Sequence, residues 1–307
     1  MEKKAYYSNG KLLITGEYLV LSGALALAVP TVKGQELLLE EGTGYNTLHW
    51  KSYFKEDCWF EAKFSLPGIE ILEAGNPKTA AYLQTILREA NRINKDIFAQ
   101  GSSVNMITKL GFHPEWGLGS SSSLINNIAS LFEISPFELF FNTQKGSGYD
   151  IACAEAKTPL FYRLENGEPK IEKADFNPPF KEKLAFIYSG SKQDSERSLS
   201  RFLDMKGSIE YQMGGISMIS REILGTQSHH EFNDLLNEHE EIMAKVLQLP
   251  KVKGSRFPDF PGSIKSLGAW GGDFLLASSE IGFEEIKSYF SGKSLNTIFS
   301  FDELVLH

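Results

Sequence analysis

Apolar and polar positions alternate in short runs along the first third of the chain, the signature of half-buried strands. Residues 5–15 and 17–21 form two such runs, broken at Gly10 and Gly16, and residues 35–40, 47–54 and 58–64 form three more. The links Glu41-Gly42-Thr43-Gly44 and Lys55-Glu56-Asp57 are short, which implies antiparallel pairing. At Asn76-Pro77 the period changes. Asn suits an N-cap and Pro the first helical position, and Ala80, Leu83, Leu87 and Ala90 then recur at helical spacing to about Asn94. A strand at 104–108 leads through a Gly/Ser loop into a second helix, with Leu124, Ile125, Ile128, Leu131 and Phe132 as its apolar stripe. Ser135-Pro136 caps a third helix to about Thr143, a helical stretch opens at Tyr149, and residues 160–164 read as a strand.

At Asn177-Pro178-Pro179 the pattern pauses, and the two prolines suit an exposed connection. A boundary near residue 180 divides the chain into an N-terminal domain, 1–180, and a C-terminal domain, 181–307. The second part reads as a strand at 184–188, a helix at 195–204, long helices at 207–224 and 230–247, and a loop over 251–261. A helix near 262–267, a strand at 274–277, a helix at 283–290 and a strand at 297–301 complete it. Strands and helices mixed without strict βαβ alternation predict an α+β fold.

Composition narrows the function classes. With 307 residues, 42% apolar and 23% charged, the chain can bury a large core and has the make-up of an ordinary soluble protein. A net charge of −8 argues against nucleic acid as main partner, because duplex binding is driven by phosphate neutralisation. A small anionic substrate stays open, since it needs only a local cluster of cations. Cys58 and Cys153 form neither a metal-ligand spacing nor a disulfide framework, which fits a reducing, cytoplasmic setting. No segment approaches the ~18 apolar residues of a membrane helix, and the start lacks the apolar core of a signal peptide. No membrane partner is expected.

Four segments carry candidate chemistry. The first, Asn9-Gly10-Lys11 running into Leu12-Leu13-Ile14-Thr15-Gly16-Glu17, presents Lys11 either as a cation aimed into a cleft or as a surface residue at a strand start. The second is Pro114-Glu115-Trp116-Gly117-Leu118-Gly119 followed by the four serines Ser120 to Ser123. Unpartnered N–H groups of a first helical turn carry partial positive charge, and glycines let a phosphate approach. A flexible, Ser-rich N-cap is the plainer alternative. The third, Gly146-Ser147-Gly148-Tyr149-Asp150-Ile151-Ala152, puts Asp150 in a first helical turn, where it either complements the helix dipole or takes a proton from a hydroxyl. The fourth is Lys265-Ser266-Leu267-Gly268-Ala269-Trp270-Gly271-Gly272-Asp273, whose glycines form a tight turn or a backbone wall that meets a ligand.

In this order and spacing the segments resemble the motifs of the galactokinase, homoserine kinase, mevalonate kinase and phosphomevalonate kinase superfamily, the GHMP kinases, over residues 8 to about 280. Gly146 to Ala152 is similar to the Gly-Ser-Gly-Phe-Asp-Val-Ala segment of phosphomevalonate kinases, and more loosely to mevalonate kinases. The resemblance implies an N-terminal domain of the ribosomal-protein-S5-domain-2-like kind with a left-handed βαβ unit, and a ferredoxin-like C-terminal domain. It implies ATP-dependent, Mg²⁺-assisted phosphorylation of a small anionic alcohol or phosphate, phosphomevalonate or mevalonate in isoprenoid biosynthesis. Another alcohol, such as a sugar or homoserine, and a non-catalytic nucleotide-binding role are the alternatives. Carried over by residue, Gly117, Leu118, Gly119, Ser120, Ser121 and Ser122 would hold the phosphates, and Ser121 would also ligate Mg²⁺. Asp150 would be the base, and Lys11 would lower the pKa of the substrate hydroxyl. Gly268, Ala269, Gly271, Gly272, Lys192, Ser195 and Arg197 would lie on the substrate or phosphate side, and Glu138 stands one residue from the place of a second metal ligand. Trp116 and Trp270 depart from the family pattern, which has small residues there; they would narrow the pocket or stack on a base.

Overall fold

The computed structural model describes residues 3–98, 103–190, 202 and 209–307. The chain forms two compact units. One comprises Met1–Gly10, Lys33–Pro114 and Leu118–Glu155; the other comprises Lys11–Val32, Glu115–Gly117 and Ala156–His307. The long strands β1 (Lys4–Thr15) and β2 (Ala26–Glu41) each contribute residues to both units.

In the first unit, β3 (Thr47–Phe54) pairs antiparallel with β4 (Asp57–Ser65) and parallel with β6 (Ser103–Leu110). The short β5 (Ile71–Ala74) flanks β4, and the second half of β2 pairs antiparallel with β6, Leu38 opposite Ile107. The period-2 pattern does its work here. Leu48, Trp50 and Ser52 of β3 and Val104, Met106, Thr108 and Leu110 of β6 are buried, while their neighbours are not. The two polar members of that face satisfy each other: the Thr108 hydroxyl donates to Ser52 Oγ (2.8 Å), which also accepts from Trp50 Nε1 (3.0 Å). Helices α1 (Pro77–Ile93), α2 (Ser120–Phe132), α3 (Pro136–Thr143) and α4 (Tyr149–Glu155) cover this sheet. Leu83, Leu87, Ile125, Ile128 and Phe132 close the core against Trp50, Phe64 and Met106. Asn76 and Ser135 cap α1 and α3, accepting from Thr79 N (3.1 Å) and Glu138 N (3.3 Å), as their sequence positions predict.

The second unit holds an antiparallel sheet in the order β10 (Ser263–Leu267), β11 (Phe274–Ser278), β9 (Leu184–Tyr188), β12 (Ile298–Ser300). All residues of β10 and β11 are buried, so both faces are covered. Phe257, Phe260, Ile286 and Phe290 pack on Ile187, Ile264 and Leu275, with α8 (Phe283–Ser291) supplying two of the aromatic and aliphatic anchors. Helices α5 (Glu210–Gly225) and α6 (His229–Leu247) enclose Tyr18 and Leu19 with Ile216, Ile219 and Met243. The first half of β2 pairs with β7 (Leu160–Glu165), which forms a hairpin with β8 (Glu168–Lys173).

Several elements depart from the pattern-based expectation. Gly10 does not interrupt β1, and residues 17–21 are no strand: Gly16 adopts φ +94° and Leu19–Ser22 winds into a 3₁₀ turn. A Cβ on Gly16 would lie 2.6 Å from Ala26 Cβ, so the turn is set by the close passage of β2. β2 starts at Ala26 rather than 35, because pairing overrides the weak strand preference of its Ala, Pro and Gly residues. The expected helix at 262–267 is strand β10. Ile264 and Leu267 stand three apart and imitate a helical stripe, but a strand buried on both faces shows no alternation. The loop 251–261 contains α7 (Val252–Arg256), the last strand shortens to Ile298–Ser300, and α9 (Phe301–Leu304) follows it. Strands β5 and β8 are edge additions without a clear sequence signal. The helix expected at 195–204 lies outside the described residues apart from Phe202.

Candidate active site

The Gly/Ser loop is shaped by two left-handed glycines, Gly117 (φ +70°) and Gly119 (φ +89°), with Leu118 fully buried between them as an anchor. Gly119 caps α2 without a side chain. The serines then divide their labour. Ser122 Oγ donates to Gly119 O (2.9 Å), and the Ser123 hydroxyl lies 2.8 Å from Gln35 Oε1 and 2.9 Å from Gly119 O. Both are buried and serve the start of the helix. Ser120 is half-buried and Ser121 exposed, so these two hydroxyls are left on the open side of the first turn. The first-turn N–H groups there have no intrahelical acceptor and form an anion-favouring end.

Ser121 Oγ hydrogen-bonds the Tyr82 hydroxyl, which α1 delivers. Burial pushes the Tyr82 phenol above its ordinary pKa; the bond to Ser121 works downward, and the negative charge of Asp150 adds to the rise. Asp150 stands in the first turn of α4, a helix that packs on α2 and is entered through Gly146 (φ +149°) and Gly148 (φ +84°). Beside this corner lies a cavity of about 120 Å³ with Trp50, Trp59, Phe60, Leu83 and Leu124 in its walls and Tyr82, Ser120 and Ser121 at its polar border. An apolar slot bordering a helix N-terminus can take a flat ring attached to an anion.

In the second unit, Lys11 lies half-buried in β1. Gly117 is pressed against the buried Asp273: a Cβ there would sit 2.1 Å from Asp273 Oδ2. In the fourth segment Gly268, Gly271 and Gly272 have φ of +78°, +89° and +67°, and Gly272 N–H donates to Ala269 O (2.7 Å). Ala269 is buried. The two tryptophans, both half-buried, make packing contacts in the second unit. Trp116 sits among Tyr188, Phe274 and Phe299, its ring 5.4 Å from that of Phe299. Trp270 joins the core around Tyr18, whose hydroxyl accepts from the Trp270 N–H (2.6 Å), and its indole donates to Pro250 O (3.1 Å).

A buried charged group in the second unit escaped the sequence reading. Lys265 Nζ donates to Glu17 Oε1 and to Ser266 O (2.9 Å), His239 Nε2 lies 3.1 Å from Glu17 Oε2, and Ser266 N donates to Glu240 Oε1 (3.1 Å). All four charged or titratable side chains are at least 97% shielded. Burial opposes ionisation of Glu17, but Lys265 and His239 hold its pKa below the ordinary value. Burial, and then the charge of Lys265, lowers His239 to about 4. Burial raises Glu240 to about 7. The sequence signal was position alone: Glu17 lies in the first segment and Lys265 opens the fourth, but neither spacing nor periodicity pairs them.

Lys192, Ser195 and Arg197 lie outside the described residues. Glu138 is exposed in the first turn of α3, where its charge acts on Arg92. Among the described residues no three His, Cys, Asp or Glu side chains gather to hold a metal. Magnesium keeps several waters and takes phosphate oxygens, so it needs few protein ligands. The hard oxygen donors Ser120 and Ser121, set at an anion-favouring helix end, fit an ion that arrives with phosphate. No helix among the described residues is long and apolar enough to cross a membrane.

No protein-family profile matches the chain, and no curated protein sequence matches it either. Solved structures do. The mevalonate kinase of Methanococcus jannaschii superposes with a TM-score of 0.74 at 15% identity, over 100% of this chain and 99% of that one. The phosphomevalonate kinase of Streptococcus pneumoniae, solved with phosphomevalonate and AMPPNP, gives 0.68 at 16% identity over 97% and 99%. The galactokinase of Lactococcus lactis with galactose gives 0.67 at 11% identity over 99% and 94%. The chain therefore has the fold of the GHMP kinases, over its full length.

Proposed function

We propose that this protein is an ATP-dependent small-molecule kinase of the GHMP type, acting on phosphomevalonate or mevalonate. The observation that carries the reading is the pairing of the Ser121 hydroxyl with the Tyr82 phenol at the open first turn of α2, beside an apolar cavity. The first-turn N–H groups and Ser120 bind the phosphates, and the cavity takes the base. A bound Mg²⁺ supplies charge neutralisation at the phosphates, with Ser121 as its protein ligand. Asp150 accepts the proton of the substrate hydroxyl. Positioning and charge neutralisation account for most of the rate in such transfers, so a small set of groups is sufficient. The segment Gly146 to Ala152 favours phosphomevalonate, in keeping with the ligand of the S. pneumoniae neighbour. The galactose-bound neighbour keeps a second alcohol in play.

A coupled assay for ADP release, with ATP, Mg²⁺ and a panel of phosphomevalonate, mevalonate, homoserine and galactose, tests the reading. Turnover with one of the first two is expected. ATP binding without ADP release from any alcohol would sink the enzyme reading. Asp150→Asn is expected to lower turnover by orders of magnitude while ATP affinity stays nearly unchanged; unchanged turnover refutes the base assignment.

A further inference from the structure

Ser121 differs from its neighbours in what holds its hydroxyl. Helical serines commonly bond back to a carbonyl three or four residues earlier, as Ser122 and Ser123 do with Gly119 O. Ser121 instead meets a side chain from another helix, 39 residues away in sequence. Tyr82 is well fixed for that task. It belongs to the cap-stabilised helix α1, next to Leu83, which is fully packed in the core, and its ring forms part of the cavity wall. A hydroxyl that ligates a cation does so through oxygen lone pairs, so its single proton must be directed away from the ion. Whatever accepts that proton sets the direction of the lone pairs, and such outer partners tune ligands strongly.

We propose that Tyr82 is a positioning residue for the phosphate site: its phenolic oxygen accepts the Ser121 proton and turns the serine lone pairs toward the metal–phosphate group. This inference rests on the kinase reading and adds to it a residue outside the four segments. Tyr82 touches no reacting atom and acts through Ser121. Its contribution therefore belongs to the Mg²⁺-dependent part of nucleotide binding, and is absent when the nucleotide binds without the ion.

The test is calorimetric binding of a non-hydrolysable ATP analogue across a Mg²⁺ series, for wild type, Tyr82→Phe, Ser121→Ala and the double variant. Tyr82→Phe keeps the ring and its packing. It is expected to weaken Mg²⁺-dependent affinity by about 10-fold or more, the low end of outer-partner effects. Binding without Mg²⁺ stays as in wild type, and the double variant is no weaker than Ser121→Ala alone, because both remove one coupled unit. Wild-type affinity in Tyr82→Phe, an equal loss with and without Mg²⁺, or additive losses in the double variant would each overturn the inference while leaving the kinase reading standing. A wild type that binds the analogue with no Mg²⁺ dependence would remove both.

Discussion

At the scale of single residues, four consecutive serines that look alike in sequence have different fates. Ser123 is buried and its hydroxyl meets Gln35 Oε1, so Ser123→Ala strands a buried acceptor and is expected to lower stability by about 1–3 kcal/mol. Ser121 is exposed and its hydrogen bond to Tyr82 is open to solvent, so Ser121→Ala is expected to lose no more than about 0.5–1 kcal/mol. Urea unfolding of the two variants measures the contrast, and equal losses would refute the division. Gly117 makes a second residue-scale case. Its φ of +70° costs an L-residue about 1 kcal/mol, and an added Cβ also meets the Asp273 carboxylate. Gly117→Ala is therefore expected to lose more than the backbone cost alone. Adding Asp273→Ala should recover the steric part and leave the backbone part; a double variant that is simply the sum of two losses would show that the close approach carries no cost.

At the scale of elements, the buried group on β10 and α6 makes an unusual pH argument. Glu240, with a folded pKa of about 7, keeps a proton that the unfolded chain releases near 4.5. Its contribution to stability is complete below about 4.5 and is lost as pH rises to about 7. His239, at about 4 when folded, does the reverse: its contribution is complete above its ordinary 6.5 and is lost as pH falls to about 4. Over the shared window the two slopes oppose each other, so wild type gains little net pH dependence from them. Either single variant breaks the balance. Relative to wild type, the stability of Glu240→Gln should rise with pH between about 4.5 and 7, and that of His239→Gln should fall with pH between about 4 and 6.5, each by up to about 1.4 kcal/mol per pH unit. Urea midpoints across pH 4–8 for the three proteins provide the check, and parallel curves would refute it. The Lys265–Glu17 pair beneath them is a separate matter. Lys265→Met leaves a buried carboxylate without its cation and is expected to cost about 3–5 kcal/mol. This group also marks where sequence reading stops. Period-2 alternation identified β3 and β6, and caps identified α1 and α3, because those signals are local. Lys265 and Glu17 stand 248 residues apart, and nothing in Ser263-Ile264-Lys265-Ser266-Leu267 marks its lysine as buried until the strand is known to be covered on both faces.

Across the whole molecule, the order of the four motifs along the chain announced the fold that the full-length superpositions display. The partners of those motif residues were not announced. Tyr82 carries no motif, and the sequence did not announce the aromatic neighbours of Trp116 or the Tyr18 hydroxyl that accepts from Trp270. Substrate choice is likewise not written in the fold, since alcohols as different as galactose and phosphomevalonate occupy neighbours of similar TM-score. Linkage offers a route that needs no turnover. A ligand that binds only the folded chain stabilises it by about 2.7 kcal/mol at a hundredfold excess over Kd. In the presence of Mg²⁺ and a non-hydrolysable ATP analogue, thermal unfolding followed with each candidate alcohol therefore ranks the alcohols by affinity. Phosphomevalonate is expected to raise the midpoint further, and mevalonate less, with homoserine and galactose silent. Asp150→Asn should keep the shift produced by the nucleotide, because the carboxylate is assigned to proton transfer rather than to phosphate binding. A midpoint raised by galactose alone would move the substrate assignment to the sugar branch and leave the phosphate site as drawn. A nucleotide shift that vanishes in Asp150→Asn would place that carboxylate in binding instead.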